Sequence, residues 1–310
     1  MNTAYVSFFS YIACFARNFF PVDAVNNPAA LKNCLDSLTA GYDGRFLDSD
    51  PAAIVHRYAS PSDIEVAGFV VSSLAYGNAA QIRKSADDIF ARIGTAPSWF
   101  ARDLALVKAL ETFRGFKHRW TTGSDVALLF CIIGRALDEE GSLGALVQKL
   151  DDPGERTIEG LLARLSGWMR TRLDSAFAGR VKRTTLSYFV PSPAQGSACK
   201  RLAMFFRWMV RGPDGVDFGL WKFIDPARLV IPLDSHIARM AKLLDLCSRR
   251  NPDWKMALQI TETLRRLDPD DPIRYDFALV RPGILRECTA TKRGDCASCL
   301  LRLVCMESSV

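Results

Sequence analysis

Cys288, Cys296, Cys299 and Cys305 stand at C-x7-C-x2-C-x5-C near the end of the chain, and no other feature limits the fold as sharply. Lys292, Arg293 and Asp295 lie among them, so the segment is too polar for a core strand or a buried helix face. Four thiolates at short, uneven intervals can converge on one inorganic centre. Zinc sites usually pair two C-x2-C knuckles, or one knuckle with two histidines. This chain has a single C-x2-C, and its three histidines, His56, His118 and His236, all lie far upstream. Four cysteines in one compact loop suit a [4Fe–4S] cluster held by thiolates. From spacing alone, a zinc ion and no metal at all remain the alternatives.

The rest of the composition narrows the setting. At 310 residues, 49% hydrophobic and 24% charged, the chain has material for one large domain or two lobes with a sizeable core. A net charge of +6 is compatible with a polyanionic partner but is common among soluble proteins of this size. Nine cysteines, an odd number, argue against a disulfide framework. Cys14, Cys34, Cys131, Cys199 and Cys247 are scattered, mostly in apolar surroundings, and read as buried free thiols. Residues 4–16 are apolar but too few to span a bilayer, and no basic residue precedes them as in a secretory signal. Residues 1–28 are therefore expected to be an extension without a fold role, and the chain to be a cytoplasmic monomer with no membrane partner.

The pattern along the chain is helical. Ser60-Pro61, with Asp63 and Glu65 in the first turn, opens a helix whose stripe is Ile64, Ala67, Gly68, Val71 and Leu74. The small residues on that stripe predict close helix packing. Helical spacing recurs through 97–185, and no period-two run is long enough for a sheet. A Pro- and Gly-containing loop at 188–199 runs into a helix bearing Leu202, Phe205, Phe206 and Met209. Asp234 stands where a helix N-cap would, ahead of Ile237, Met240, Leu243 and Leu244. The expected fold class is all-α.

Three stretches together carry a family resemblance. The cysteine spacing is similar to the C-x6-C-x2-C-x5-C of the endonuclease III-like branch of the helix-hairpin-helix DNA glycosylases, with one more residue in the first interval. Leu233-Asp234-Ser235-His236-Ile237-Ala238-Arg239 resembles that family's V-D-T-H-I-F-R segment. Lys200-Arg201-Leu202-Ala203-Met204-Phe205-Phe206-Arg207 resembles the K-x-A-x-x-F-L-R of an 8-oxoguanine glycosylase branch. The matches cover about 188–305, with a fainter echo at 61–82, while 95–187 is longer than the family core needs. The chain would then be a divergent branch, similar to a group of conserved bacterial proteins of unknown function.

The resemblance implies an iron–sulfur lobe from 29–60 plus 234–310 and a helical barrel lobe from 61–233 that carries the hairpin at 188–211. A cleft would lie between the two. It implies that Asp234 is the catalytic carboxylate and Lys200 the nucleophile, and that Cys288, Cys296, Cys299 and Cys305 hold a [4Fe–4S] cluster. Gly196 and Ser197 in the hairpin, with Lys292 and Arg293 between the first two cysteines, would face the phosphate backbone. Tyr76, Asn78 or Gln81 would wedge into the duplex, Tyr76 having a core position at a helix end as its blander reading, and Arg83, Lys84, Arg207 and Arg211 are further phosphate candidates. The blander reading of Asp234 is a helix cap, that of Lys200 a surface lysine, and that of the arginines solvated charge. The expected function is a base-excision DNA glycosylase, with AP lyase activity as an extension, acting on damaged double-stranded DNA. RNA is the other candidate substrate. A non-catalytic iron–sulfur protein that binds nucleic acid is the alternative.

Overall fold

The computed structural model describes residues 27–176, 188–285, 287, 288, 296 and 298–306, with side chains in the first stretch described to 173. The expectations for residues 1–26, and for Lys292 and Arg293, fall outside the described residues. The described chain is mostly helical, as the apolar spacing predicts. Among the described residues, no helix is long and apolar enough to cross a membrane.

A nearly buried helix, α3 (Pro61–Ser73), organises the first part of the chain. Every residue from Ile64 to Ser73 is buried, so this helix has no solvent face to keep polar. Its neighbours are α2 (Ala52–Val55), α4 (Ala79–Ile93), α5 (Pro97–Ala101), α8 (Leu143–Leu150) and α10 (Lys200–Val210). Gly68 sets the approach of α10. A Cβ there would lie 3.0 Å from Met209 Cε and 3.3 Å from a Phe205 ring carbon. Phe205 in turn meets Phe69 edge-on at 5.2 Å. The small-residue stripe is thus used as the sequence predicts.

Glu65 is the one charged side chain buried along α3, and it has three donors. Its carboxylate accepts from Leu143 N at 3.0 Å, Gly144 N at 3.1 Å and Trp221 Nε1 at 2.8 Å. It therefore supplies the acceptor that the first turn of α8 requires. Burial raises its pKa, and the three hydrogen bonds oppose that rise. A Cβ on Gly144 would come within 2.5 Å of Glu65 Oε1, so the glycine makes room for this contact.

Residues 97–176 build α5, α6 (Leu106–Thr112), α7 (Gly123–Glu140), α8 and α9 (Glu159–Ala176). Between α6 and α7 the expectation of no sheet needs one amendment. Lys117–His118 (β1) and Thr121–Thr122 (β2) form an antiparallel hairpin, pairing Lys117 with Thr122 and His118 with Thr121. Two-residue strands are too short for alternation to reveal. His118 fixes this hairpin to the body. It is fully buried, with Nε2 3.1 Å from Leu74 O and Nδ1 2.8 Å from Ser85 Oγ. Those partners suit a neutral ring that donates from Nε2, and burial lowers its pKa accordingly.

The remaining helices form a second group. α11 (Ser235–Leu243) packs on α13 (Asp276–Ile284), and α12 (Trp254–Arg265) is tied to the flanking loops, its Thr261 Oγ1 accepting from Ile231 N at 3.0 Å and its Thr263 Oγ1 donating to Leu246 O at 2.9 Å. α1 (Pro28–Gly41) returns from the start of the chain to pack on α13 and on the 3-10 turn Arg302–Val304. That contact seats the cysteine segment. Leu301 and Val304 are buried, Met306 N donates to Leu243 O at 2.8 Å, and Cys288 N donates to Pro282 O at 2.9 Å.

Candidate active site

The two helix groups face each other across a cleft of about 660 Å³, a volume typical of small-ligand sites. One wall comes from the turn after α3 (Ala75, Gly77, Asn78) and from Arg83 on α4. The other comes from Pro232 to His236 and from α13. The start of α10 lies between them.

Lys200 and Asp234 meet in this cleft. Cys199 holds a left-handed backbone conformation (φ 49°) that turns the loop into α10, so Lys200 is that helix's first residue. Asp234 is the N-cap of α11, with Oδ1 accepting from His236 N and Ile237 N, both at 2.9 Å. Capping occupies only one carboxylate oxygen. The other, Oδ2, lies 3.8 Å from Lys200 Nζ, which donates to Ala75 O at 3.1 Å. About a quarter of each side chain is exposed, 27% for Lys200 and 26% for Asp234. The cap reading and the site reading of Asp234 are therefore compatible.

A second carboxylate, which sequence reasoning missed, closes the floor. Asp276 opens α13 and is 4% exposed. Its Oδ2 accepts from Arg207, while Oδ1 is buried without a partner. Burial raises its pKa, Arg207 opposes that rise, and the Asp234 and Lys200 charges also act on it. Asp276 thus shares the electrostatic environment of the pair. No local motif marks it, because its role depends on a helix folded back from 42 residues downstream of Asp234 (276 against 234).

The other expected residues divide. Asn78 caps α4, accepting from Gln81 N at 2.8 Å, and Gln81 reaches Ser85 Oγ at 3.3 Å. Asn78 lines the cleft, and both residues are exposed. Gly196 is left-handed (φ 75°) and exposed at the end of a 3-10 turn, and Ser197 Oγ accepts from Cys199 N at 3.2 Å. Both shape the entry to α10. Arg83 lines the cleft with its Nε buried and unpartnered. Arg207 and Arg211 are not solvated phosphate contacts. Arg207 pairs with Asp217 (3.1 Å) and Asp276, and Arg211 pairs with Asp217 and Asp271 (2.9 Å). Arg201 points away from Lys200, donating to Ser73 O at 3.1 Å with its guanidinium 3.7 Å from the Tyr188 ring centre.

The cysteines lie away from this cleft. Cys288, Cys299 and Cys305 are half-buried against the core, and Cys296 is exposed. Burial pushes the Cys299 thiol up, a backbone hydrogen bond from Leu301 opposes that rise, and the neighbouring thiols of Cys288, Cys305 and Cys296 add to it. Among the described residues, no three His, Cys, Asp or Glu side chains are set to hold a metal ion.

Fold and cleft together define a helical protein with an amine–carboxylate pair in a ligand-sized cavity. The model of a family described as "Protein of unknown function (DUF2400)" matches residues 50–285, and the chain belongs to that family. No curated protein and no solved structure matches it. This corrects the assignment to the helix-hairpin-helix DNA glycosylases, which the comparisons do not return. The motifs behind that assignment are short, and an Asp at a helix N-cap followed by an apolar stripe recurs in many helical proteins.

Proposed function

We propose that the cleft cleaves the N-glycosidic bond of a base in DNA, with Lys200 as nucleophile and Asp234 as the charge-stabilising carboxylate. The observation that carries this reading is the 3.8 Å approach of Lys200 Nζ to Asp234 Oδ2 inside a cavity of about 660 Å³. The two helix groups act as lobes, and the turn ahead of α10 places the amine. A base must leave the stack before C1′ becomes accessible. An apolar cavity with a few convergent polar groups suits a flipped base.

The chemistry assigns each group one task. Positive charge develops at C1′ as the bond to the base lengthens, and the Asp234 carboxylate opposes it at close range. Lys200 Nζ, having given up a proton, forms the new bond to C1′. The C1′–N electron pair leaves with the base, which takes up the proton that the attacking nitrogen releases. The sugar ring then opens as C1′=N forms and O4′ takes a proton. Water hydrolyses this Schiff base and restores the amine; β-elimination of the 3′ phosphate would be the lyase outcome. Asp234 keeps its orientation throughout because Oδ1 stays bonded to the α11 amides.

Cys288, Cys296, Cys299 and Cys305 are the residues that would hold a [4Fe–4S] cluster, four thiol donors in one short segment being the ligand set such a cluster takes. It would serve structure, anchoring the C-terminal segment on α1. Single-turnover base release from duplexes carrying a panel of damaged bases tests the proposal. Wild-type protein is expected to release at least one base, and Asp234→Asn to slow that release by two orders of magnitude or more. Equal rates for the two proteins would refute it.

A further inference from the structure

The fold pins a basic aromatic hairpin beside the cleft and leaves its tip open to solvent. Trp120 is 56% exposed. Its ring stacks on Tyr76 with centroids 4.5 Å apart and planes 18° apart, and the Tyr188 ring meets it at 5.4 Å and 79°. Tyr76 cannot drift, because its hydroxyl donates to His118 O at 2.8 Å and accepts from Thr121 Oγ1 at 2.6 Å. The indole is therefore held in one pose without being buried, which is a poor use of a tryptophan for stability and a good one for binding.

The charges carried by the hairpin itself have one sign. Residues 113–124 contain Arg114, Lys117 and Arg119, all exposed, and no acidic residue. Arg119 has a left-handed backbone (φ 53°), and its guanidinium lies 4.9 Å from the Trp120 ring centre. It also packs over Gly77, where a Cβ would sit 3.2 Å from its Nη1. Gly77 and Asn78 line the cleft, so the platform continues directly from the cleft wall. Trp99 makes a useful contrast. It is more exposed, at 76%, but forms no ring stack and lies in a stretch that starts no such basic run.

We infer that Trp120, backed by Tyr76 and flanked by Arg119, is a stacking platform for an unpaired nucleobase of a strand entering the cleft. A flat aromatic face with adjoining guanidinium and ammonium groups is the combination that binds single strands, through stacking and phosphate contacts. A folded protein partner would favour a larger apolar patch than one ring ringed by cations. The inference shares with the proposed function only the premise that a nucleic-acid strand is bound.

Fluorescence anisotropy of labelled 12-mer single strands, one DNA and one RNA of equal sequence, tests it on the full chain. Trp120→Ala is expected to bind the better strand about tenfold or more weakly, Trp120→Phe to retain most affinity, and Trp99→Ala to match wild type. Arg119→Ala should weaken binding less and flatten its salt dependence. Thermal melts establish that each variant is folded, and Arg119→Ala, with unchanged affinity and salt dependence as the refuting result, carries the test if the alanine variant at 120 is not. Unchanged binding in Trp120→Ala, or an equal loss in Trp99→Ala, would overturn the inference. Repeating the titration with Lys200→Ala separates the two readings: tight, Trp120-dependent binding by a protein that releases no base supports the platform, whatever becomes of the chemistry.

Discussion

Two sets of ion pairs meet at the cleft, and they have opposite characters. Arg207, Arg211, Asp217 and Asp276 form a buried network in which each guanidinium meets at least two carboxylates. Lys200 and Asp234, a short way along the same helix start, form one long contact of 3.8 Å with both side chains about a quarter exposed. The buried network cannot let go of a partner without stranding a charge. The exposed pair can, since water and substrate reach both groups. Ion pairing alone therefore does not mark a site; incomplete pairing inside a cavity does.

The largest effect expected from breaking this comparison is on the buried side. Arg207→Ala removes the common partner of Asp217 and Asp276, and should destabilise the fold by about 3–5 kcal/mol in urea unfolding. Asp234→Ala should cost about 1 kcal/mol, the usual loss for a cap. Asp234→Asn should cost much less, because Asn caps equally well, while catalysis falls as stated above. Lys200→Ala should shift stability by less than about 1 kcal/mol, since a partly exposed pair contributes little. A large loss of stability in Lys200→Ala would place that lysine in the structural class instead.

Gly144→Ala tests a different buried carboxylate. The new methyl would crowd Glu65 against Trp221, and a cost of about 1–3 kcal/mol is expected in thermal unfolding. The hairpin offers a pH test. His118 is buried with a lowered pKa, so the unfolded chain binds its proton more readily. Its contribution to stability is full above the unfolded value near 6.5 and is lost as pH falls below it. Unfolding midpoints from pH 8 to 5 should show this decline. A His118 contribution of opposite sign would mean that the ring is charged in the folded state. For the cysteine segment, Cys299→Ser should abolish the equal amounts of iron and acid-labile sulfide expected in anaerobically purified protein. Absence of both from the wild type would remove the cluster from this account.

How much of this was legible depended on distance along the chain. The α3 stripe with Gly68, the α10 face and the cap at Asp234 were readable because each is a local pattern with a physical cause. Lys200 was found only through a short motif, and the family behind that motif did not hold; the amine and carboxylate meet nonetheless. Arg207 was misread as a phosphate contact, because its neutralising partners come from 217 and 276 and no local spacing announces them. Asp276 was missed for the same reason. The run of Phe, Arg, Lys and Trp at 113–120 was visible but lay inside 97–185, which was read only for its helical spacing. Its meaning depends on Tyr76 and Tyr188, which stack on it from distant positions.

Borohydride trapping is the most direct test of the central claim that Lys200 attacks C1′ beside Asp234. Reduction during turnover on a duplex with an abasic or damaged site should give a stable protein–DNA adduct, and peptide mass spectrometry should place it at Lys200. Lys200→Ala should trap nothing, while Trp99→Ala traps as the wild type does. An adduct at another lysine, or undiminished trapping by Lys200→Ala, would contradict the account.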